Sequence, residues 1–446
     1  MTSLFGHSVR SDVLILYVAD ALLCFLAIYA LLSWQVGVPF GQGFTVAVTV
    51  AAACGIISGA SGLYQPEAFS RARKLIAAVS VAGLLLLILL PVLSMMSPAA
   101  RASLDDHLFG VTLAFVSAVV TTRLGFALAL RSGRLAQEVA VLRCPGRAAD
   151  EAGRLYAAAG HGGRFNIALD IPPGTPLGVA LAPERLRARR IRAVIATDPA
   201  ALPQALRRDL AAAGIEILRE TEFLEHQLAR VDIDRLPEGW LARSNGLREG
   251  VAEAAFRRGF DILLSTLLLL ATLPLLVAAA IAIKLDTPGP IFYRQERVGR
   301  AGRIFTLFKF RSMVVDAEAG GAPVWASRQD DRITRVGRFI RLTRIDEIPQ
   351  VFNVLFGDMA FVGPRPERPA FVEKLGRVIP HYDERAVVKP GITGWAQVNF
   401  PYGASVEDAR MKLAYDLYYV RRRSLFLDLL ILVATVRVVL FQEGSR

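Results

Sequence analysis

Apolar residues dominate the first part of this chain in four long runs, at about Val13 to Ser33, Phe44 to Leu63, Leu75 to Met96 and Leu108 to Leu130. Each is close to the roughly 20 residues a helix needs to cross a bilayer. Residues 1–134 are therefore expected to form four transmembrane helices. From about Gln137 to Gly239 the pattern changes to short β-like runs separated by Ala/Arg-rich helical stretches. Val139 to Leu142, Asn166 to Leu169, Ala193 to Thr197 and Ile215 to Leu218 read as buried parallel strands, which makes residues 135–250 a small doubly wound α/β domain. A fifth apolar run, Ile262 to Ile283, is interrupted by Pro274, and residues 251–446 as a whole read as a mixed α/β domain. Near the end, Leu425 to Phe441 is apolar but carries Asp428 and Arg437, a pattern for an interfacial or packed helix rather than another span.

Lys and Arg gather on the cytoplasmic side of membrane proteins, so loop charges orient the helices. Arg10 precedes the first run and no charge follows it. Arg71, Arg73 and Lys74 follow the second, Arg101 with Asp105 and Asp106 the third, and Arg131 with Arg134 the fourth. The N-terminus and everything after Arg131 are thus expected in the cytoplasm. Arg123, inside the fourth run, reads as snorkelling or facing a neighbouring helix. The fifth run is basic on both flanks, with Arg257 and Arg258 before it and Lys284, Arg294 and Arg297 after it. A re-entrant helix over about residues 260–285, broken at Pro274 and returning to the same face, satisfies those charges; a fifth span is the plain alternative.

Composition agrees with a membrane location. The 446 residues exceed one ordinary core, and 53% hydrophobic content with a mean hydropathy of +0.41 places part of the chain in lipid. The net charge is +12, and only six of the 52 basic residues are Lys. Arginines beside apolar runs point to lipid headgroups and phosphorylated substrates rather than nucleic acid, for which no motif occurs. Cys24, Cys54 and Cys144 have neither zinc spacing nor a pairing framework, which suggests reduced thiols. The first apolar run is too long for a cleavable signal. After the first strand of the α/β domain, Arg143-Cys-Pro-Gly-Arg-Ala-Ala149 replaces a dinucleotide-binding glycine fingerprint, so this domain reads as structural or regulatory.

Candidate chemistry lies in three stretches: Ile340-Arg-Leu-Thr-Arg-Ile-Asp-Glu-Ile-Pro-Gln350, Phe361-Val-Gly-Pro-Arg-Pro366, and Val388-Lys-Pro-Gly-Ile-Thr-Gly-Trp-Ala-Gln-Val-Asn399. They set adjacent carboxylates among arginines and rigid Pro/Gly loops, the inventory of a site that attacks and holds phosphates. On a helix Asp346 and Glu347 diverge by about 100°, so one can attack while the other holds metal or takes a proton. Arg332, Arg335, Arg338, Arg341 and Arg344 recur every three residues as a basic stripe able to rest at headgroup level. Lys309 and Arg311 alternate in a strand-like run and share a face, where they bind a diphosphate or edge the sheet. His161, His226 and His381 have no ligand spacing.

With Arg294-Gln-Glu-Arg-Val-Gly299, Phe308-Lys-Phe-Arg-Ser-Met313 and Gly357-Asp-Met-Ala-Phe-Val-Gly-Pro-Arg-Pro366, these stretches fall in an order that resembles the bacterial sugar transferase family of monotopic phosphoglycosyl transferases. The match runs from about Arg257 to the C-terminus. The whole chain is similar to the long members, in which four membrane helices and a degenerate Rossmann-like domain precede the catalytic part. The resemblance implies transfer of a sugar 1-phosphate from a UDP-sugar to a polyprenyl phosphate such as undecaprenyl phosphate, releasing UMP, as the first step of exopolysaccharide or O-antigen assembly. It implies Asp346 as nucleophile of a covalent phosphosugar intermediate and Glu347 as the group serving metal or acceptor, with Mg²⁺ as cofactor and Asp346 and Glu347 as its protein ligands. It places Arg341 and Arg365 near the phosphates, with Arg365 held on a stiff loop by Pro364 and Pro366. Pro390, Gly391 and Gly394 would shape a loop near the nucleotide, and Trp395 is more suited to core packing than to stacking. Homodimerisation through the spanning or α/β region is implied as well. Where many members have serine before the membrane-helix proline, this chain has Leu273-Pro274.

Two other readings fit less of the sequence. A membrane-bound nucleotide-sugar dehydratase or epimerase needs a glycine fingerprint and a Tyr-x-x-x-Lys pair, and none of the ten tyrosines has Lys four residues later. A scaffold or regulatory protein of a polysaccharide assembly complex leaves the carboxylates and arginine loops without a role.

Overall fold

Four helices form over the leading apolar runs: α1 (Ser11–Leu31), α2 (Phe40–Ala60), α3 (Ala72–Ser94) and α4 (Leu108–Arg131). The structure is a computed structural model and describes residues 2–4, 7–9, 11–36, 40–64, 72–96, 98–131, 137–143, 155, 165–236, 239–241, 250–315, 332–400, 403 and 405–441. Arg10, Arg71 and Arg134, which carry much of the expected orientation, lie outside the described residues, as do the side chains of Lys74 and Arg131 and the turn 144–149. The described residues divide into two compact units, one built mainly of Ser8–Ala229 and the other mainly of Arg230–Arg446.

In the first unit Ile28, Leu86, Leu90 and Phe115 are buried in a core shared by α1 to α4, while Ile15, Leu22, Leu84, Ile88, Phe109 and Leu128 are exposed. Helices apolar on the outside as well as the inside belong in lipid. With the long helix of the second unit, five helices among the described residues are long and apolar enough to cross a membrane. Arg123 faces a neighbouring helix. Its guanidinium grips Asp20 of α1 through two hydrogen bonds of 2.8 Å and donates to the Leu63 carbonyl at 3.1 Å. The charge is thereby paired and the site is structural.

Strands β1 (Gln137–Leu142), β2 (Phe165–Ile171), β3 (Ile191–Ala196) and β4 (Glu216–Arg219) form one parallel sheet in the order β2-β1-β3-β4. Alternate side chains feed two cores: Ala140 and Val194 pack with Leu186 and Leu210, and Val139, Val141 and Ile195 with Phe165 and Phe223. A sheet buried on both faces is the physical meaning of continuous apolar strands.

The second unit opens earlier than residue 251. Residues 230–241 were expected in the α/β domain, but Val231 and Ile233 are buried here and the Val231 amide donates to the Ala414 carbonyl at 3.0 Å. Helix α5 (Val251–Asp286) then runs for 36 residues, and it stays helical through Pro274. The expected break is therefore a proline inside a continuous helix, which withholds one amide from the ladder without ending it. A two-stranded antiparallel ribbon follows, β5 (Phe292–Val298) with β6 (Ile304–Phe310). Helix α6 (Arg335–Leu342), capped by Thr334, leads to a 3₁₀ turn at Ile345–Glu347 and to α7 (Gln350–Phe356). Strand β7 (Ala360–Val362) pairs in parallel with β8 (Gly391–Thr393), and α8 (Val406–Arg422) and α9 (Leu425–Leu440) close the unit. α9 is packed: Asp428 accepts from Tyr419 Oη at 2.8 Å and pairs with Arg257, and Arg437 donates to the Val398 carbonyl at 2.9 Å.

Candidate active site

Asn353 brings the two halves of the site together. Fully buried on α7, it accepts from the Phe308 amide at 3.0 Å and donates to the Thr306 carbonyl at 2.7 Å, which fastens α7 along β6. Its own carbonyl takes the amides of Gly357 and Asp358, and Gly357 supplies the positive φ of 94° that ends the helix. Because β6 and α7 are locked in register, Lys309 at the end of β6 meets the carboxylates just before α7.

Those carboxylates sit on a strained turn. Arg344 has φ 59°, a left-handed conformation unusual for a non-glycine residue, and it reverses the chain so that Ile345 enters the core. Glu347 is then gripped by cations: Lys309 Nζ lies 2.9 Å and Arg365 Nη2 2.5 Å from its Oε1, and Arg365 Nη1 lies 3.3 Å from its Oε2. Arg344 stands 4.0 Å from the same Oε2. Asp346 is 9% exposed, and its Oδ1 has no hydrogen-bond partner among the described residues.

Two adjacent carboxylates thus acquire opposite electrostatics. Burial, reinforced by Glu347 beside it, pushes the Asp346 carboxyl up to about 6 against the pull of Lys309, Arg341 and Arg344. Burial also disfavours charge on Glu347, but Arg365 and Lys309 outweigh it and hold that carboxyl well below the usual range. Burial pushes the Lys309 ammonium down, with Glu347 opposing. The pair lines a cavity of about 1030 Å³ at which, among the described residues, ten Lys or Arg side chains, Arg341 and Arg365 included, accompany four carboxylates. Such a pocket attracts polyanions.

Other expected site residues are placed differently. Arg311 does not join the cluster at Glu347: its guanidinium donates to the Thr287 carbonyl at 2.7 Å, to the Pro288 carbonyl at 2.8 Å and to Thr287 Oγ1 at 3.0 Å. It lies one residue past the strand, where its guanidinium caps the C-terminal end of α5 while the side chain still lines the cavity with Lys309. Pro390, Gly391 and Gly394 do not line the cavity; they work from behind it. A Cβ on Gly391 or Gly394 would strike the backbone of Gly363, and this close approach lets the Gly363 amide donate to Thr393 and the Gly391 amide to the Pro364 carbonyl. Trp395 stacks on Tyr418 at 6.0 Å in the core, as expected.

The sequence reading missed Tyr382, Arg385 and Asp416, which line the same cavity. The available signal was Asp416 on the apolar face of a helix between Leu413 and Val420.

The family model for bacterial sugar transferase matches residues 252–442. UDP-N-acetylgalactosamine-undecaprenyl-phosphate N-acetylgalactosaminephosphotransferase of Aeromonas hydrophila is 44% identical over 236 residues, 53% of this chain and 55% of its own length. A UDP-glucose:undecaprenyl-phosphate glucose-1-phosphate transferase of Xanthomonas campestris is 43% identical over 221 residues, 49% of this chain and 44% of its own. The chain thus spans about half the length of these curated relatives. A protein of Caulobacter vibrioides with the same description as the Xanthomonas one is 42% identical over 205 residues, 46% of this chain and 76% of its own length. With the motif order, the family match and a shorter relative matched over 76% of its own length in agreement, this chain belongs to the bacterial sugar transferase family.

Proposed function

We propose that this protein transfers a sugar 1-phosphate from a UDP-sugar to undecaprenyl phosphate or a similar polyprenyl phosphate, releasing UMP, as the initiating step of exopolysaccharide or related glycoconjugate synthesis. The observation that carries this reading is the split pair: one buried carboxylate oxygen without a hydrogen-bond partner among the described residues beside a second carboxylate that holds Lys309 and Arg365 in place. Asp346 Oδ1 attacks the phosphorus attached to the sugar, the bond to the bridging oxygen breaks, and UMP leaves with that electron pair. The phosphate oxygen of the lipid then attacks the same phosphorus and returns Asp346 as a carboxylate. Lys309, Arg341 and Arg365 supply the positive charge that the diphosphate needs as it enters.

Among the described residues no group of three or more His, Cys, Asp and Glu side chains is arranged to hold a metal. A cation here must share its shell with the donor's phosphates, which suits Mg²⁺, commonly held by one or two carboxylates plus phosphate oxygens. The less firmly engaged Glu347 Oε2 fits that role, with the Asp346 carboxylate oxygen not used for attack as the second candidate ligand. Bound there, Mg²⁺ would neutralise diphosphate charge.

The lipid acceptor calls for a site at the membrane surface, and α5 supports one. Near its start Arg258 donates to the Val354 and Leu355 carbonyls and Asp261 accepts from the Phe361 amide at 2.9 Å, while near its end Leu276, Ala279 and Ile283 pack on Phe310, Ile340 and Ile345. Both ends of α5 are therefore tied to one catalytic body. Between them Leu263, Leu267, Leu270 and Ile281 are exposed, an apolar face for the lipid. We place this body on the cytoplasmic face of a bacterial inner membrane, with α5 entering lipid without crossing and α1 to α4 spanning it. The named relatives differ in sugar, N-acetylgalactosamine in one and glucose in others, so a panel of UDP-sugars identifies the donor. The deciding experiment incubates purified protein with a UDP-sugar labelled in the sugar: UMP should appear and the protein should take up label, and label persisting in Asp346→Asn would remove the nucleophile assignment. A homodimer through the first unit is part of this proposal, and crosslinking in membranes that yields only monomers would refute it.

A further inference from the structure

The segment that carries Arg365 is held by its backbone to an unusual degree. Four successive carbonyls, Pro364 to Glu367, accept in turn from the Gly391 amide at 2.9 Å, Arg385 Nη2 at 2.9 Å, Arg297 Nη1 at 3.0 Å and the Val298 amide at 2.9 Å. Only the second of these grips the residue whose side chain reaches Glu347. Arg385 is itself fixed, donating to Asp416 Oδ2 at 2.7 Å and to Tyr382 Oη at 3.1 Å, with the Tyr382 ring 5.4 Å from its guanidinium carbon. Asp416 is 2% exposed on α8, and that helix is anchored in the core by Leu413, Leu417 and Val420.

We propose that Asp416 and Arg385 are positioning residues for Arg365: they transmit the rigidity of α8 to the backbone of the Pro364–Glu367 loop and thereby hold the Arg365 guanidinium on Glu347. This role rests on the function proposed above. A buried ion pair is a poor device for stability alone, because desolvating both charges offsets much of their attraction. Here the same guanidinium bridges a helix carboxylate and the carbonyl of a site residue, so its geometry sets where Arg365 can reach. Misplacement of a site group by about 1 Å can cost on the order of a hundredfold in rate.

The test is a double-mutant cycle on the full-length protein in detergent or nanodiscs, with UMP release read from UDP-N-acetylgalactosamine or UDP-glucose and undecaprenyl phosphate. Asp416→Asn should lower kcat by about tenfold or more, with a smaller change in donor KM. Arg365→Ala/Asp416→Asn should be within about twofold of Arg365→Ala alone, since the interaction that Asp416 supports is already gone. Hydrogen exchange supplies a readout independent of turnover: the Gly391 and Val298 amides, which bind the same loop, should exchange faster in Asp416→Asn while the amides of α8 keep their protection. Arg385→Lys, which keeps the charge but loses the two-nitrogen fork that spans Tyr382 on one side and Asp416 with the Arg365 carbonyl on the other, should reproduce both effects if Asp416→Asn does not fold. Losses that add in the double variant, or unchanged Gly391 and Val298 exchange in a folded variant, would overturn the assignment. A wild-type protein that released no UMP from any UDP-sugar would sink the function, whereas the exchange result tests the clamp on its own.

Discussion

Asp346 and Glu347 are adjacent in the chain and opposite in their surroundings. Glu347 meets Lys309 and Arg365 directly, while Asp346 is buried with one oxygen unengaged. Removing the proposed nucleophile in Asp346→Asn should lower UMP release by about a thousandfold or more. The pH dependence has a definite sign. Attack needs the carboxylate, and burial together with Glu347 raises the Asp346 carboxyl to about 6, so protonation removes activity as pH falls through that value. Initial rates should drop about tenfold between about pH 7 and about pH 5, while Glu347, held low by Arg365 and Lys309, stays ionised. A rate that is flat across that window would contradict the assignment. Arg311 gives the contrasting residue-level expectation. Because its bonds go to half-exposed backbone at the end of α5, Arg311→Gln should cost about 1–2 kcal/mol of stability by removing a charged donor from the Thr287 and Pro288 carbonyls. The check is the denaturation midpoint, with the folded fraction retaining its turnover.

At the scale of elements, the site depends on places where backbones touch. The β7–β8 pair can form only because Gly363, Gly391 and Gly394 have no side chains, and that pair sets the start of the Arg365 loop. Gly394→Ala should therefore push β8 away from Gly363, costing about 1–3 kcal/mol, and should reduce activity more than its distance from the carboxylates suggests. Thermal unfolding together with kcat measures the two losses separately. The Pro/Gly stretch from Val388 to Asn399 was legible in the sequence as a loop, but the residues alone did not say whether its glycines serve a ligand or the β7–β8 contact, and only Ile392 and Thr393 of its β-strand portion line the cavity. The reason is general: a glycine required for close approach looks the same in sequence whether the approaching group is a phosphate or another strand. Pro274 shows a similar ambiguity. A proline in an apolar run marks a missing amide, and whether the helix stops or continues depends on what packs around it.

For the whole molecule, the consequence of α5 touching one catalytic body at both ends can be tested directly. At about 1.5 Å per residue its 36 residues reach about 54 Å, more than a bilayer's apolar thickness of about 30 Å. In protein lacking its native cysteines, single cysteines at the exposed Val251 and Leu285 should both react with an impermeant thiol reagent applied from the cytoplasmic face alone. Reaction from opposite faces would show a fifth span. The sequence by itself determined the apolar helices, the parallel α/β sheet, the order of the motifs and the presence of Asp346, Glu347, Lys309, Arg341 and Arg365, because hydrophobic period and local residue chemistry are written along the chain. The fold alone decided which arginine meets which partner: Arg365 on Glu347, Arg311 on the end of α5, Arg385 between Asp416 and the Arg365 carbonyl. Those pairings join residues 18, 24, 20 and 31 positions apart. In a chain with so many arginines, only close packing selects one acceptor for each.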